Sequence, residues 1–119
     1  MTTGERCMTF QRGDVILVPI PFTNLRSTKV RPAIILSSEA YHTSEPDLVL
    51  GAITTNLAAA TAPVDYIIKD WAEAGLRFPS AFKPLIFTLE PALVIHRVGS
   101  LSSLDMAEIG RRLRHALGL

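Results

Sequence analysis

Three cations fall within six positions of the stretch "NLRSTKVRPAIIL": Arg26, Lys29 and Arg31. The chain as a whole is nearly balanced, with twelve basic and eleven acidic residues and a net charge of +1. The cluster is therefore a local concentration of positive charge, the kind that binds phosphate without making the whole surface cationic. Arg31 stands at the mouth of the apolar run Ala33 to Leu36 and has two readings. It caps a strand end in solvent, or it holds an anion. The residue type suits the second: a planar guanidinium offers two parallel N–H donors to two phosphate oxygens and stays charged at any working pH. For the same reason an arginine is a poor proton acceptor. Two further residues carry suitable chemistry. Lys83 strengthens a phosphate site if it turns inward and is merely solvated if it turns outward. His42, in the connection after the apolar run, is a candidate general base by type, or else an exposed loop histidine.

Composition narrows the remaining classes. The 119 residues are 48% apolar, enough for one modest core and one domain spanning 1–119, with residues 1–9 expected to fray. No apolar run reaches the roughly 18 residues that span a bilayer, and "MTTGERCMTF" has no apolar signal segment, so a cytoplasmic protein is expected. A single cysteine, Cys7, forbids an internal disulfide. His42, His96 and His115 lie far apart without ligand spacing, and the expectation is no metal and no cofactor. His96, inside an apolar run, reads as a satisfied structural histidine, and His115 as solvated.

The elements that must position these groups are short. Val15–Ile20 reads as a first strand after the turn signal Gly13-Asp14, with Pro19 and Pro21 marking its end. "TNLRSTK" reads as a loop, with Phe22 at its base, and Ala33–Ser37 as the second strand. Asp47–Thr54 is a third, with Gly51 signalling a bulge or close backbone approach. Val64–Ile68, Phe82–Leu89 and Ala92–Val98 complete the strands. From Ser102 onward the period changes to helical: Met106, Ile109, Leu113, Ala116 and Leu117 share a face, Ser102 with Asp105 resembles a capping pair, and Gly118 stops the helix. Gly110 inside it suggests a close packing contact. The pattern predicts an α+β, mostly β fold: a small barrel of five to six short strands closed by a C-terminal helix.

In order and spacing, "GDVILVPIPFTNLRSTKVRPAIILS", "LVLGAITTN" and "GLRFPSAFKPLIFTLEPALVIHRVGSLS" resemble the PemK/MazF family of toxins from type II toxin–antitoxin modules. The resemblance runs from about Gly13 to Leu119. It implies an SH3-like (CcdB/MazF-type) barrel, a homodimer, a cognate antitoxin as partner, and metal-independent cleavage of single-stranded RNA. In that chemistry the ribose 2′-OH attacks, leaving a 2′,3′-cyclic phosphate and a 5′-OH. Carried over by position, the family's active arginine falls on Arg31 and its active threonine on Thr54, with Thr55 as the neighbouring alternative. Ser80 falls where many relatives place a serine, with a turn-forming role as the other reading. With Arg26, Lys29 and Lys83, Thr55 and Ser80 make up the expected substrate-binding set. One departure stands out: many relatives carry an acidic residue shortly after position 83, whereas this chain reads Lys83-Pro84-Leu85-Ile86-Phe87. The competing expectation is a non-catalytic barrel of the same type, a CcdB-like gyrase poison or a degenerate RNA- or protein-binding module. The gyrase reading places its contacts on the C-terminal helix end and predicts no dependence on Arg31.

Overall fold

The computed structural model describes residues 9–20 and 29–119, so Cys7, Phe22 and Arg26 lie outside the described residues. Six strands, β1 (Asp14–Ile20), β2 (Lys29–Ile35), β3 (Leu48–Thr54), β4 (Tyr66–Ile67), β5 (Ala81–Leu89) and β6 (His96–Ser100), form one sheet. Its order is β4-β5-β3-β2-β1-β6, its pairings among the described residues are antiparallel, and it curls into a half-barrel. Helix α1 (Glu39–Ser44) links β2 to β3, and α2 (Ser103–Leu117) follows β6. Among the described residues no helix is long and apolar enough to cross a membrane.

The two faces of the sheet carry separate apolar clusters, as a period of two requires. On one face Val15, Ile34, Ile53, Phe82 and Ile68 pack with Ile109 of α2 and the half-buried Trp71 and Met106. On the other, Ile16, Val18, Ile20, Ala33, Ile35, Leu48 and Leu50 form a second cluster. Gly51 serves both expectations raised for it. A side chain there would put Cβ 2.6 Å from the Phe82 ring, and the β3–β5 register shifts between Gly51 and Ala52. That shift takes up two extra residues of β5, Pro84 and Leu85, because Ala52 pairs with Lys83 and Gly51 with Ile86. A proline inside a strand is tolerated at such a bulge, where no ladder bond is lost.

Several expectations need correction. β2 starts at Lys29, four residues earlier than the apolar run, so Arg31 and Pro32 lie inside a strand. Pro32 is tolerated because the β2–β3 pairing begins only at Ala33, leaving one side of β2 open there. The expected strand Ala92–Val98 is a 3-10 turn at Pro91–Leu93 followed by β6, since Pro91 presets the first helical φ. In α2 the Ser102 cap and the left-handed Gly118 (φ 73°) are as expected, but Ala116 and Leu117 are exposed beyond the end of the packed face. A Cβ on Gly110 would meet only Arg12 Nη2 at an ordinary 3.6 Å, so no close packing requires glycine there.

Candidate active site

Register places the two central residues. β2 and β3 pair as Ala33 with Ala52 and Ile34 with Gly51; the ladder ends there, but by the same parity Arg31 and Thr54, each two residues beyond Ala33 and Ala52, belong to one face of the sheet. Val18 pairs with Arg31, Ile20 with Lys29, and Ala52 with Lys83. Strand alternation then puts Lys29, Arg31, Thr54 and Lys83 on the face that holds the second apolar cluster, at its rim. All four line one cavity of about 200 Å³, floored by Ile20, Ala52 and Leu85. Apolar walls beneath cations lower the local dielectric and strengthen their pull on an anion.

The four side chains are not equivalent. Lys29 and Arg31 are exposed and have no ion-pair partner among the described residues. The Thr54 hydroxyl oxygen accepts a hydrogen bond from the Asn56 amide at 3.0 Å, which fixes its rotamer and leaves its proton available to a ligand. Lys83 turns inward, yet its ammonium is already engaged, donating to Asp65 Oδ2 at 2.8 Å and to the Ala59 carbonyl at 3.0 Å. Asp65 is buried and also accepts from the Ala62 amide at 3.1 Å. Lys83 therefore reaches the cavity as a held cation, positioned by a carboxylate from a distant part of the chain. Asp65 was missed at the sequence level. Nothing in "APVDYII" signals that its partner stands 18 residues away.

Behind Asp65 lies a larger polar knot. Arg112 of α2 donates to the Pro63 carbonyl at 3.0 Å and to the Asp65 carbonyl, and its guanidinium lies 5.5 Å from the centre of the Tyr66 ring. Asp105, fully buried, accepts from the Tyr66 hydroxyl at 2.5 Å and from the amides of Lys69 and Asp70 at 3.1 and 2.9 Å. Burial pushes the Asp105 carboxyl up, but the Tyr66 hydroxyl, the two amides and Ser102 outweigh it and hold the group below the ordinary carboxylate range. Burial and the neighbouring Asp105 push the Tyr66 phenol well above its usual value, so it remains a donor. The helix thus clamps the segment that carries Asp65.

The other predicted residues separate from this cavity. Thr55 and Ser80 face the opposite side of the sheet, in a second cavity. The Ser80 hydroxyl donates to the Phe78 carbonyl at 2.7 Å, which is the turn-forming role. His42 Nε2 is hydrogen-bonded to Ser37 Oγ at 2.5 Å, and that oxygen accepts from the Val49 amide. Ser37 lies six residues beyond Arg31 along an extended chain, roughly 20 Å at strand rise. That geometry removes His42 from the Arg31 cavity, and it is corrected from candidate base to an anchor of α1. His96, expected to be internally satisfied, is exposed and lines the second cavity. Among the described residues no group of three or more His, Cys, Asp or Glu side chains converges on one point.

The geometry defines a class: a curled β half-barrel with a C-terminal helix and an arginine–threonine pair at the rim of its sheet. The family described as "PemK-like, MazF-like toxin of type II toxin-antitoxin system" matches residues 11–117, and the chain belongs to it. Solved structures share the fold. An endoribonuclease in complex with its cognate antitoxin from a mycobacterial species superposes with a TM-score of 0.76 at 22% identity, covering 93% of this chain and 97% of that one. A mycobacterial endoribonuclease gives 0.73 at 21% identity, with 94% of each chain covered. MazF from Deinococcus radiodurans gives 0.73 at 16% identity, over 94% of this chain and 99% of that one. Curated protein sequences return no match.

Proposed function

We propose that the chain is an endoribonuclease toxin that cleaves single-stranded RNA by attack of a ribose 2′-OH on the adjacent phosphate. The observation that carries this reading is the convergence of Lys29, Arg31, Thr54 and Lys83 on one cavity, in a chain that belongs to a toxin family. Arg31 binds two oxygens of the scissile phosphate and stabilises the charge that builds on them in the pentacoordinate transition state. The Thr54 hydroxyl donates to a phosphate oxygen or orients the attacking 2′-OH. Lys83, held by Asp65, adds a second fixed cation, and Lys29 contacts the neighbouring backbone. The 2′-oxygen forms its bond to phosphorus as the bond to the 5′-oxygen breaks, and a proton moves off the former and onto the latter. Guanidinium and ammonium groups are the donors available for the leaving oxygen. Among the described residues lining the cavity no carboxylate or imidazole stands ready to take the 2′-OH proton. The charge stabilisation is supplied by side chains, and we infer that the step needs no metal ion. The antitoxin-bound state of the mycobacterial neighbour supports a cognate antitoxin as partner, and a homodimer is the assembly we propose.

The test is cleavage of a long single-stranded RNA by the purified protein in excess EDTA, beside Arg31→Ala, with both product ends mapped. Discrete cuts leaving a cyclic phosphate and a 5′-OH, slowed about 10²- to 10³-fold by the substitution, are expected. A folded protein that leaves the RNA intact overturns the nuclease reading and favours a barrel that acts by binding alone.

A further inference from the structure

A second cavity is larger than the one that holds Arg31. It measures about 360 Å³ and lies on the other face of the same strands, lined by Leu17, Pro32, Thr55, Arg77, Phe78 and His96 among others. The two cavities are joined through the chain itself. Pro32 follows Arg31, Thr55 follows Thr54, and successive strand residues face opposite sides. Leu17 pairs with both Pro32 and His96, so the floor of the second cavity is the β2-β1-β6 row.

Its outer wall, residues 75–80, is rigidly held. Gly75 has φ +90°, and a Cβ there would stand 2.5 Å from the Val98 carbonyl oxygen; one on Gly99 would stand 2.3 Å from that of Ala74. This turn and β6 are therefore pressed backbone to backbone, and only glycines allow it. Ser80 fixes the other end through its bond to the Phe78 carbonyl. On this fixed wall Phe78 is 62% exposed, and Arg77 has no ion-pair partner among the described residues. A large aromatic ring held out of the core beside an unpaired guanidinium, a histidine and a threonine hydroxyl is a poor use of residues for packing. It is a good platform for a flat, polar-edged ring. The volume also lies within the roughly 300–1,000 Å³ of small-ligand sites.

We propose that this cavity is a nucleobase subsite: the base next to the scissile phosphate leaves its stack, rounds the strand end at Thr54–Thr55 and stacks on Phe78. Arg77, His96 and Thr55 meet its polar edge and set which base is accepted. The inference rests on the RNA reading above, and two readouts keep the two apart. The first is the cleavage motif and KM of wild type, Phe78→Ala and Arg77→Gln on a long single-stranded RNA. The second is affinity for a labelled, uncleavable random-sequence 2′-O-methyl RNA of about ten nucleotides. Loss of one stacked base is worth about tenfold in affinity. Phe78→Ala is expected to weaken binding by about that factor, raise KM, and relax preference at one position beside the cut while its melting temperature is unchanged. Unchanged affinity, KM and motif overturn the subsite and leave the nuclease reading standing. Wild type that binds without cutting overturns the nuclease reading, and the Phe78→Ala affinity then decides the subsite alone. Wild type that does not bind overturns both.

Discussion

Two polar clusters sit on opposite sides of β5, and their chemistry is inverted. Around Asp105 a buried carboxylate is met by a hydroxyl and two amides. Around Arg31 the reverse holds: Lys29 and Arg31 stand exposed with no ion-pair partner among the described residues. A buried polar group must be satisfied internally or it costs the fold dearly. A group left unsatisfied at a cavity rim contributes little to folding and keeps its binding capacity for a ligand. The Lys83–Asp65 pair lies between the extremes, with one partner buried and the other a quarter exposed. Stability therefore belongs to the first cluster, and free binding capacity to the second.

The comparison breaks most visibly at Asp105. Asp105→Ala strands the Tyr66 hydroxyl and two amides in the interior, and a loss of about 3–5 kcal/mol is expected. Chemical denaturation would read it as a fall in midpoint at unchanged slope. Arg31→Ala is the mirror case. Removing one preorganised charge-stabilising donor costs about 10²- to 10³-fold in cleavage rate, while the denaturation midpoint should not move. A variant that lost both together would erase the distinction. Lys83→Met tests the intermediate pair. Stability should fall by about 1–2 kcal/mol, discounted for the lysine's exposure, and cleavage by about tenfold. Asp65→Asn should lower cleavage similarly, with the double variant no worse than the worse single one if the two act as a unit.

The smallest effect is on pH. Asp105 is held below its ordinary value in the folded state, so its ionised form favours folding. That contribution is complete above the unfolded-state value, about 3.9, and fades as pH falls through the lowered folded one. The wild-type midpoint should therefore show an Asp105-dependent decline only below about pH 4. Asp105→Asn, itself less stable, should lack that part of the decline. A decline already present near pH 6 would point to another group.

Much of this was legible without coordinates. Apolar pattern located the helix and the approximate strands, though not the start of β2 or the turn at Pro91–Leu93, and Ser102, Gly118 and Gly51 marked the helix ends and the place of the β3–β5 register shift, because each rests on local backbone chemistry that a few residues decide. Arg31 and Thr54 were legible as a pair only through resemblance to a family. Their placement on one face depends on a register set by Ala33 and Ala52 meeting across two strands. The failures share a cause. His42 read as a candidate base and Lys83 as either an inward phosphate-binding cation or a solvated one, yet the first lies beside Ser37 past the end of β2 and the second in the Arg31 cavity. Asp65 was hidden inside the expected strand Val64–Ile68, Asp105 looked like a cap residue only, and His96 like a core residue. Sequence by itself determined the elements and the residue types available for chemistry, since both follow from local periodicity and side-chain identity. Only the tertiary structure decided which charges are neutralised and which are left free, because pairing is a matter of distance between segments that lie far apart along the chain.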